Sequence, residues 1–121
     1  MKKKNILIVE DDFIISMDLK TIINKMGFRV IATCANSEDA IWHTDNHSVD
    51  LVLADLNIRG ELSGFECVKY ITQKSIPVII ITAHLEDEML KVVNELAIPV
   101  VQKPFDYKKL RSSIENSLRN N

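Results

Sequence analysis

Residues 50–55, Asp-Leu-Val-Leu-Ala-Asp, hold the feature that decides the fold of this chain. Four consecutive apolar residues without alternation are typical of a strand that is buried on both faces of a parallel sheet. The strand ends on a carboxylate, Asp55, and open α/β sheets bind ligands beyond the carboxyl ends of their strands. Taken alone, Asp55 could simply cap the strand or begin a loop, so its role depends on how the other strands end.

The composition of the 121 residues is that of one ordinary globular domain, and we expect a single domain over residues 1–121. The formal net charge of −2 gives no electrostatic case for nucleic acid or an acidic membrane surface. No apolar run approaches the ~20 residues of a membrane helix. We therefore expect a cytoplasmic protein, monomeric or weakly dimeric, without direct nucleic-acid or membrane contacts.

The cysteine and histidine residues predict neither a disulfide framework nor a metal site. Cys34 and Cys67 lack the spacing of metal ligands, so buried free thiols are expected. His43, His47 and His84 form no ligand pattern with them and are expected at or near the surface.

Strand and helix patterns alternate five times along the chain. Strands are predicted at residues 5–9, 28–33, 51–55, 77–81 and 98–102, and helices at 13–26, 36–46, 63–74, 85–96 and from 106 onward. This alternation indicates a parallel sheet that is covered by helices on both faces. The leading topology is the flavodoxin-like (βα)5 doubly wound sheet of the α/β class, with strand order 2-1-3-4-5.

Polar residues mark the starts of several helices. Asn36, Ser63 and Asp106 stand where a side-chain oxygen can cap a helix, and Glu66 completes a Ser-x-x-Glu capping box. The first helix carries one apolar stripe, formed by Ile15, Leu19, Ile22, Ile23 and Met26. The pattern therefore predicts helices that each bury one face.

The polar groups that end four of the strands predict a shared site. In the order 2-1-3-4-5, the first, third, fourth and fifth strands can open on one crevice, and they end at Glu10 and Asp11, Asp55, Thr82 and Lys103. Three converging carboxylates would repel one another, and a divalent cation resolves that repulsion. Oxygen ligands favour Mg²⁺, which combines a couple of carboxylates with waters and phosphate oxygens.

A bound phosphoryl group would complete this site. Asp55 is the natural nucleophile, because carboxylates can form aspartyl-phosphate intermediates. Thr82 can donate a hydrogen bond to the phosphoryl group, and Lys103 offers it a positive charge. Phosphoryl transfer needs mainly positioning and charge neutralisation, and this set of residues supplies both.

The motifs that end the strands resemble those of one known family. They are residues 6–11 (Ile-Leu-Ile-Val-Glu-Asp), 50–55, 81–83 (Ile-Thr-Ala) and 103–105 (Lys-Pro-Phe). Together they closely resemble the receiver domain of two-component response regulators, the CheY-like superfamily, over the whole length of the chain. The resemblance implies that Asp55 accepts a phosphoryl group from a histidine of a sensor kinase or a histidine phosphotransfer protein.

The resemblance also implies roles for the other residues. Glu10 and Asp11 would hold Mg²⁺ together with Asp55, Glu10 through a water molecule, and Asn57 would contribute its main-chain carbonyl. Thr82 and Lys103 would contact the phosphoryl oxygens, and the Lys103–Pro104 bond would be cis. A downstream protein partner is a further expectation.

Three departures from the usual receiver pattern affect the output more than the chemistry. Many receivers carry an aromatic residue where this chain has Val100, and a proline where it has Arg59. The loop after Asp55 also looks one residue longer than the commonest form. We therefore expect phosphorylation to be retained and the usual switch on the fifth strand to be changed.

Other classes of function remain as alternatives. A phosphatase of the haloacid dehalogenase kind would need an Asp-x-Asp motif on the first strand, where this chain has residues 10–12, Glu-Asp-Asp. A flavin-binding module would need a hydroxyl-rich loop at the same place. A degenerate receiver that only binds partners, or a receiver excised from a larger regulator or hybrid kinase, is also possible. We expect a signalling domain rather than an enzyme, with no output domain after the last helix.

Overall fold

The computed structural model describes residues 2–83 and 85–119, which form five strands and five helices in alternation. The strands are β1 (Asn5–Val9), β2 (Arg29–Cys34), β3 (Leu51–Asp55), β4 (Val78–Thr82) and β5 (Val100–Gln102). The helices are α1 (Phe13–Lys25), α2 (Ser37–Asn46), α3 (Gly64–Thr72), α4 (Asp87–Glu95) and α5 (Tyr107–Arg119). All pairings are parallel, in the order β2-β1-β3-β4-β5, so the predicted flavodoxin-like topology is confirmed.

The central strands separate two apolar layers. Successive side chains of a strand point to opposite faces, so a strand covered on both sides needs a continuous apolar run. In β3, Leu51 and Leu53 pack in the same cluster as Ile114 of α5, whereas Val52 packs with Ile71 of α3 on the other face. Full burial of each such side chain contributes about 1.5–3 kcal/mol, which explains why β3 tolerates so few polar residues.

The strand register brings the carboxyl ends of four strands to one edge of the sheet. Val9 of β1 is paired with Ala54 of β3, and Asp55 with Ile81 of β4. Directly after β5, the main-chain amide of Lys103 donates to the carbonyl of Thr82, the last residue of β4, at 2.9 Å. The residues that follow β1 and β5 therefore lie level with the ends of β3 and β4.

Capping side chains begin the helices where the sequence predicts them. The Asn36 side chain accepts a hydrogen bond from the Asp39 amide at 2.9 Å, and Ser63 and Glu66 form the expected capping box. Asp106 caps α5 through the amides of Lys108 and Lys109. One cap was not predicted: Asp12 Oδ1 accepts from the amides of Ile14 and Ile15, which fixes the start of α1.

Several element ends differ from the predicted ones. β5 begins at Val100 rather than at residue 98, because Pro99 has no amide to donate and offers only its carbonyl, which accepts from the Ile80 amide at 2.9 Å. α4 begins two residues late, at Asp87, and α3 ends two residues early, at Thr72. β2 and β4 are each displaced by one residue, to begin at residues 29 and 78.

The cysteine and histidine predictions agree with the structure where it describes them. Cys34 and Cys67 are buried free thiols. His43 is half-buried and His47 is exposed, whereas His84 lies outside the described residues. In the described part of the chain, none of the helices has both the length and the apolar character needed to cross a membrane.

Candidate functional site

Asp55 is an acid held at the buried end of a central strand. Its exposed fraction is only 5%. Oδ1 accepts a hydrogen bond from the main-chain amide of Asn57 at 3.0 Å, and Oδ2 accepts one from Lys103 Nζ at 2.7 Å. Both oxygens are therefore fixed in position, one by the loop that follows β3 and one by the residue that follows β5.

Lys103 also contacts the acid at the end of β1. Its Nζ lies 2.5 Å from Glu10 Oε1, while Glu10 Oε2 accepts from the Asp12 amide at 3.2 Å. This lysine–glutamate contact was not predicted, because β4 and β3 separate β5 from β1 in the sheet. The long lysine side chain reaches across those two strands and joins Glu10 to Asp55.

Burial and charge act in opposite directions on these groups. Desolvation raises the pKa of Glu10, although the hydrogen bonds from Lys103 and from the Asp12 amide oppose the rise. Desolvation alone would lower the pKa of Lys103, but its hydrogen bonds to Asp55 and Glu10 outweigh that effect and raise the pKa. The ammonium of Lys103 is therefore stabilised in its charged form at this site.

The acidic side chains fit a small divalent cation. Carboxylate oxygens of Glu10, Asp11 and Asp55 all lie within 4.8 Å of one another. Ligand oxygens about 2.1 Å from a Mg²⁺ ion are at most about 4.2 Å apart, so a small contraction would place these around one ion. Three carboxylates face the single ammonium of Lys103, and the excess of negative charge favours a cation.

The three consecutive acids after β1 divide between two tasks. Glu10 and Asp11 belong to the carboxylate cluster, whereas the Asp12 side chain caps α1. Asn57, the remaining predicted metal-binding residue, is tied to the cluster by the hydrogen bond from its amide to Asp55. Its main chain therefore lies next to the acids.

A cleft of about 280 Å³ opens beside Asp55, and both polar and apolar residues line it. It is lined by Asp55, Leu56, Asn57, Thr82, Ala83, Glu86, Met89 and Lys103. Thr82 is 5% exposed, so its side chain is held in a defined position on the wall of the cleft. Glu86 and Met89 were not predicted at the site, although their place in the connection from β4 to α4 and in the first turn of α4 is a signal that could have indicated them.

Comparison with known proteins agrees with this geometry. Residues 6–115 match the sequence pattern of a protein family that is described as "Response regulator receiver domain". Sporulation initiation phosphotransferase F of Bacillus subtilis is 34% identical over 121 residues, covering 98% of this chain and 96% of that protein. The probable transcriptional regulator ycf27 of Cyanidium caldarium is 36% identical over 121 residues, but this chain spans only 47% of its length.

A solved structure shows the same likeness in three dimensions. The REC domain of the response regulator PhyR from Erythrobacter litoralis superposes with a TM-score of 0.86 at 31% identity, covering 98% of this chain and 92% of that one. Sequence pattern, relatives and fold all agree, and the chain belongs to the response regulator receiver domain family of two-component systems.

Proposed function

We propose that this receiver accepts a phosphoryl group on Asp55 from a phosphohistidine of a sensor kinase or histidine phosphotransfer protein, within a two-component phosphorelay. One observation carries the proposal. Asp55 is a buried carboxylate that faces a cleft, with Lys103 Nζ 2.7 Å from Oδ2 and two further acids in the same cluster. A strand cap would need neither the lysine nor the other acids.

The transfer exchanges one bond for another at phosphorus. An Asp55 oxygen attacks, the new O–P bond forms as the N–P bond of the phosphohistidine breaks, and the imidazole nitrogen keeps the electron pair. Lys103 contacts the phosphoryl oxygens and neutralises part of their negative charge, while the Thr82 hydroxyl donates a hydrogen bond to one of them. The lysine already touches the attacking carboxylate, so it needs only a short movement to follow the negative charge onto the phosphoryl group.

The acids of the cluster would serve this transfer by holding Mg²⁺. Glu10 would hold the ion through a water molecule, Asp11 and Asp55 would hold it through carboxylate oxygens, and Asn57 would contribute its main-chain carbonyl. When bound, the ion neutralises charge on the carboxylates and the incoming phosphoryl group. Among the described side chains that form ion pairs with them, Glu10 and Asp55 share only Lys103.

The start of α1 offers a surface for the phosphodonor partner. Phe13 and Ile14 are 75% and 79% exposed, and Met17, one turn later, is 44% exposed. The first of these apolar side chains, Phe13, lies two residues after Asp11 of the carboxylate cluster. We propose that they meet the helix that carries the donor histidine, so that docking brings the phosphohistidine to the cleft.

We further propose that residues 1–121 act as one receiver domain in the cytoplasm. All five strands join a single sheet, which supports one domain. Cys34 and Cys67 are free rather than joined in a disulfide, which is compatible with the cytoplasm, and burial raises the pKa of Cys34 to about 12 and that of Cys67 to about 11. As a signalling domain it would catalyse only its own phosphorylation and dephosphorylation.

Labelling by a small phosphodonor tests this function directly. Acetyl phosphate with Mg²⁺ should add one phosphoryl group to the folded protein, detected by intact mass spectrometry. Removal of the metal with a chelator should stop labelling, and Asp55→Asn should abolish it. Undiminished labelling of Asp55→Asn would contradict the proposal.

A further inference from the structure

The loop that follows Asp55, residues 56–62, is held against the first turn of α2. The Ser37 amide donates to the Arg59 carbonyl at 2.9 Å, and the Leu62 amide donates to Ser37 Oγ at 3.3 Å. The Glu61 amide donates to Glu38 Oε1. We call Ser37 and Glu38 the α2 clamp, because together they hold the loop at Arg59, Glu61 and Leu62.

The main chain at Gly60 lies too close to α2 to leave room for a side chain. Its φ angle is +129°, in the region that favours glycine. A Cβ atom at this position would lie 2.9 Å from the main-chain nitrogen of Ser37 and would also collide with Ser37 Oγ. A main-chain atom cannot rotate away, so the approach depends on a residue without a side chain.

Glu38 contributes a charged acceptor to the α2 clamp. The hydrogen bond from the Glu61 amide, followed by one from its own amide, lowers the pKa of Glu38. Its place in the first turn of α2 also favours the negative form through the helix dipole. The Glu38 carboxylate therefore remains ionised at neutral pH and able to accept the hydrogen bond from the Glu61 amide.

Asn57 lies, along the chain, between Asp55 and the part of the loop that the α2 clamp holds. On one side, the Asn57 amide is bound to Asp55 Oδ1. On the other, the clamp holds the loop from residue 59 onward, so the peptide of Asn57 is fixed from both directions. Two fixed points on either side of a main-chain group restrict where its carbonyl can point.

We infer that Ser37 and Glu38 are positioning residues for the metal site, because they hold residues 56–62 so that the Asn57 carbonyl faces the cluster of Glu10, Asp11 and Asp55. The inference rests on the proposed function, in which that carbonyl is a Mg²⁺ ligand. Groups that orient metal ligands typically change metal affinity by about 10–100-fold when they are removed.

A Mg²⁺ titration without any phosphodonor tests the inference. The Kd is measured from amide NMR shifts in wild type, Glu38→Ala, Glu38→Gln and Glu95→Ala. We expect Glu38→Ala to raise the Kd about tenfold, at the lower end of the range for orienting groups. Glu38→Gln should stay near wild type, because its amide oxygen can still accept from the Glu61 amide. Glu95→Ala removes the same charge from an exposed part of α4 and should change little.

The outcomes separate this inference from the proposed function. An unchanged Kd in Glu38→Ala, while wild type binds Mg²⁺, would overturn the inference alone. Equal weakening in Glu38→Ala and Glu38→Gln would assign the effect to charge and would also overturn a positioning role. If wild type binds no Mg²⁺, the metal site in the proposed function fails and the inference fails with it. Faster hydrogen exchange at the Glu61 amide in Glu38→Ala alone would support the expected release of the loop.

Discussion

An aspartate stands at each end of β3: Asp50 directly precedes the strand, and Asp55 is its last residue. The two aspartates have different surroundings. At the amino end, Asp50 Oδ2 accepts a hydrogen bond from the main-chain amide of Asn5 at 2.7 Å, and the main-chain amide of Asp50 donates to the main-chain carbonyl of Asn5 at 2.9 Å. At the carboxyl end, Asp55 contacts the Lys103 side chain and lies in a cluster of carboxylates. Asp50 joins the main chains of two strands, whereas Asp55 lies among groups that carry unbalanced charge.

The difference shows why residue type alone does not identify a site. The Asp50 carboxylate has a main-chain donor and closes the β1–β3 edge, which is a structural task. Asp55 and its neighbours carry more negative charge than Lys103 can neutralise, so a cation or a cationic group is favoured there. The direction of parallel strands separates the two tasks, because the carboxyl ends of β1, β3, β4 and β5 open on one edge.

The largest expected effect comes from exchanging the two acids for asparagine. Asp55→Asn should abolish labelling by acetyl phosphate, whereas Asp50→Asn should be labelled like wild type, because its amide oxygen can still accept from Asn5. Asp50→Ala should lower the free energy of unfolding by about 1–3 kcal/mol, since it leaves a partly buried amide without its acceptor. Urea unfolding measures the stability, and loss of labelling in a folded Asp50→Asn protein would break the comparison.

A smaller but still large effect is expected at the acids after β1. Asp11→Ala should raise the Mg²⁺ Kd at least about tenfold, because removing a ligand should weaken binding no less than removing a group that orients one. Asp12→Asn is the matched control, since asparagine caps a helix as well as aspartate does. Isothermal titration measures both affinities. Equal weakening in the two variants would show that general charge, rather than a specific ligand, governs binding.

The exposed start of α1 should affect only transfer from a protein donor. Ile14→Ser should slow transfer from a phosphorylated kinase several-fold and leave acetyl phosphate labelling unchanged, because Ile14 is 79% exposed. Ile15 is half-buried against the α1–α5 side of the sheet, so Ile15→Ser should in addition destabilise the fold by about 1–2 kcal/mol. Stopped-flow transfer kinetics and thermal unfolding separate the two effects. Equal slowing with both donors in Ile14→Ser would contradict docking at this surface.

The smallest expected effect is at Val100 in β5, the edge strand next to β4. Val100 is half-buried and paired with Ile80, and a β-branched valine has few χ1 states and little volume with which to switch a surface. Addition of beryllofluoride, a phosphoryl mimic, should shift the amides near Asp55 and Thr82 strongly and those across β5 weakly. Large cooperative NMR shifts that extend over Val100 and α5 would show that this receiver retains the usual output switch.

The strand order and the residues that meet at the site could be predicted because both follow from local patterns. Buried apolar runs define the strands, and polar residues at their ends must meet when the strands are parallel. Contacts that depend on tertiary approach could not be predicted. The Lys103–Glu10 ion pair crosses two strands, and the α2 clamp depends on how closely Gly60 approaches Ser37. The late start of β5, by contrast, could have been predicted, because Pro99 stands in the sequence and has no amide to donate to a neighbouring strand.

The measurement that tests the central claim most directly is the location of the phosphoryl group within residues 50–55. After labelling with acetyl phosphate and Mg²⁺, borohydride reduces the acyl phosphate to an alcohol and releases phosphate, which leaves a stable mark for tandem mass spectrometry. Asp50, directly before β3, and Asp55, at its end, both lie within this one short segment, so fragment ions distinguish them. We predict a mark at Asp55 and none at Asp50. A mark at Asp50, Glu10 or Asp11 in place of Asp55 would contradict the assignment of Asp55 as the phosphoryl acceptor.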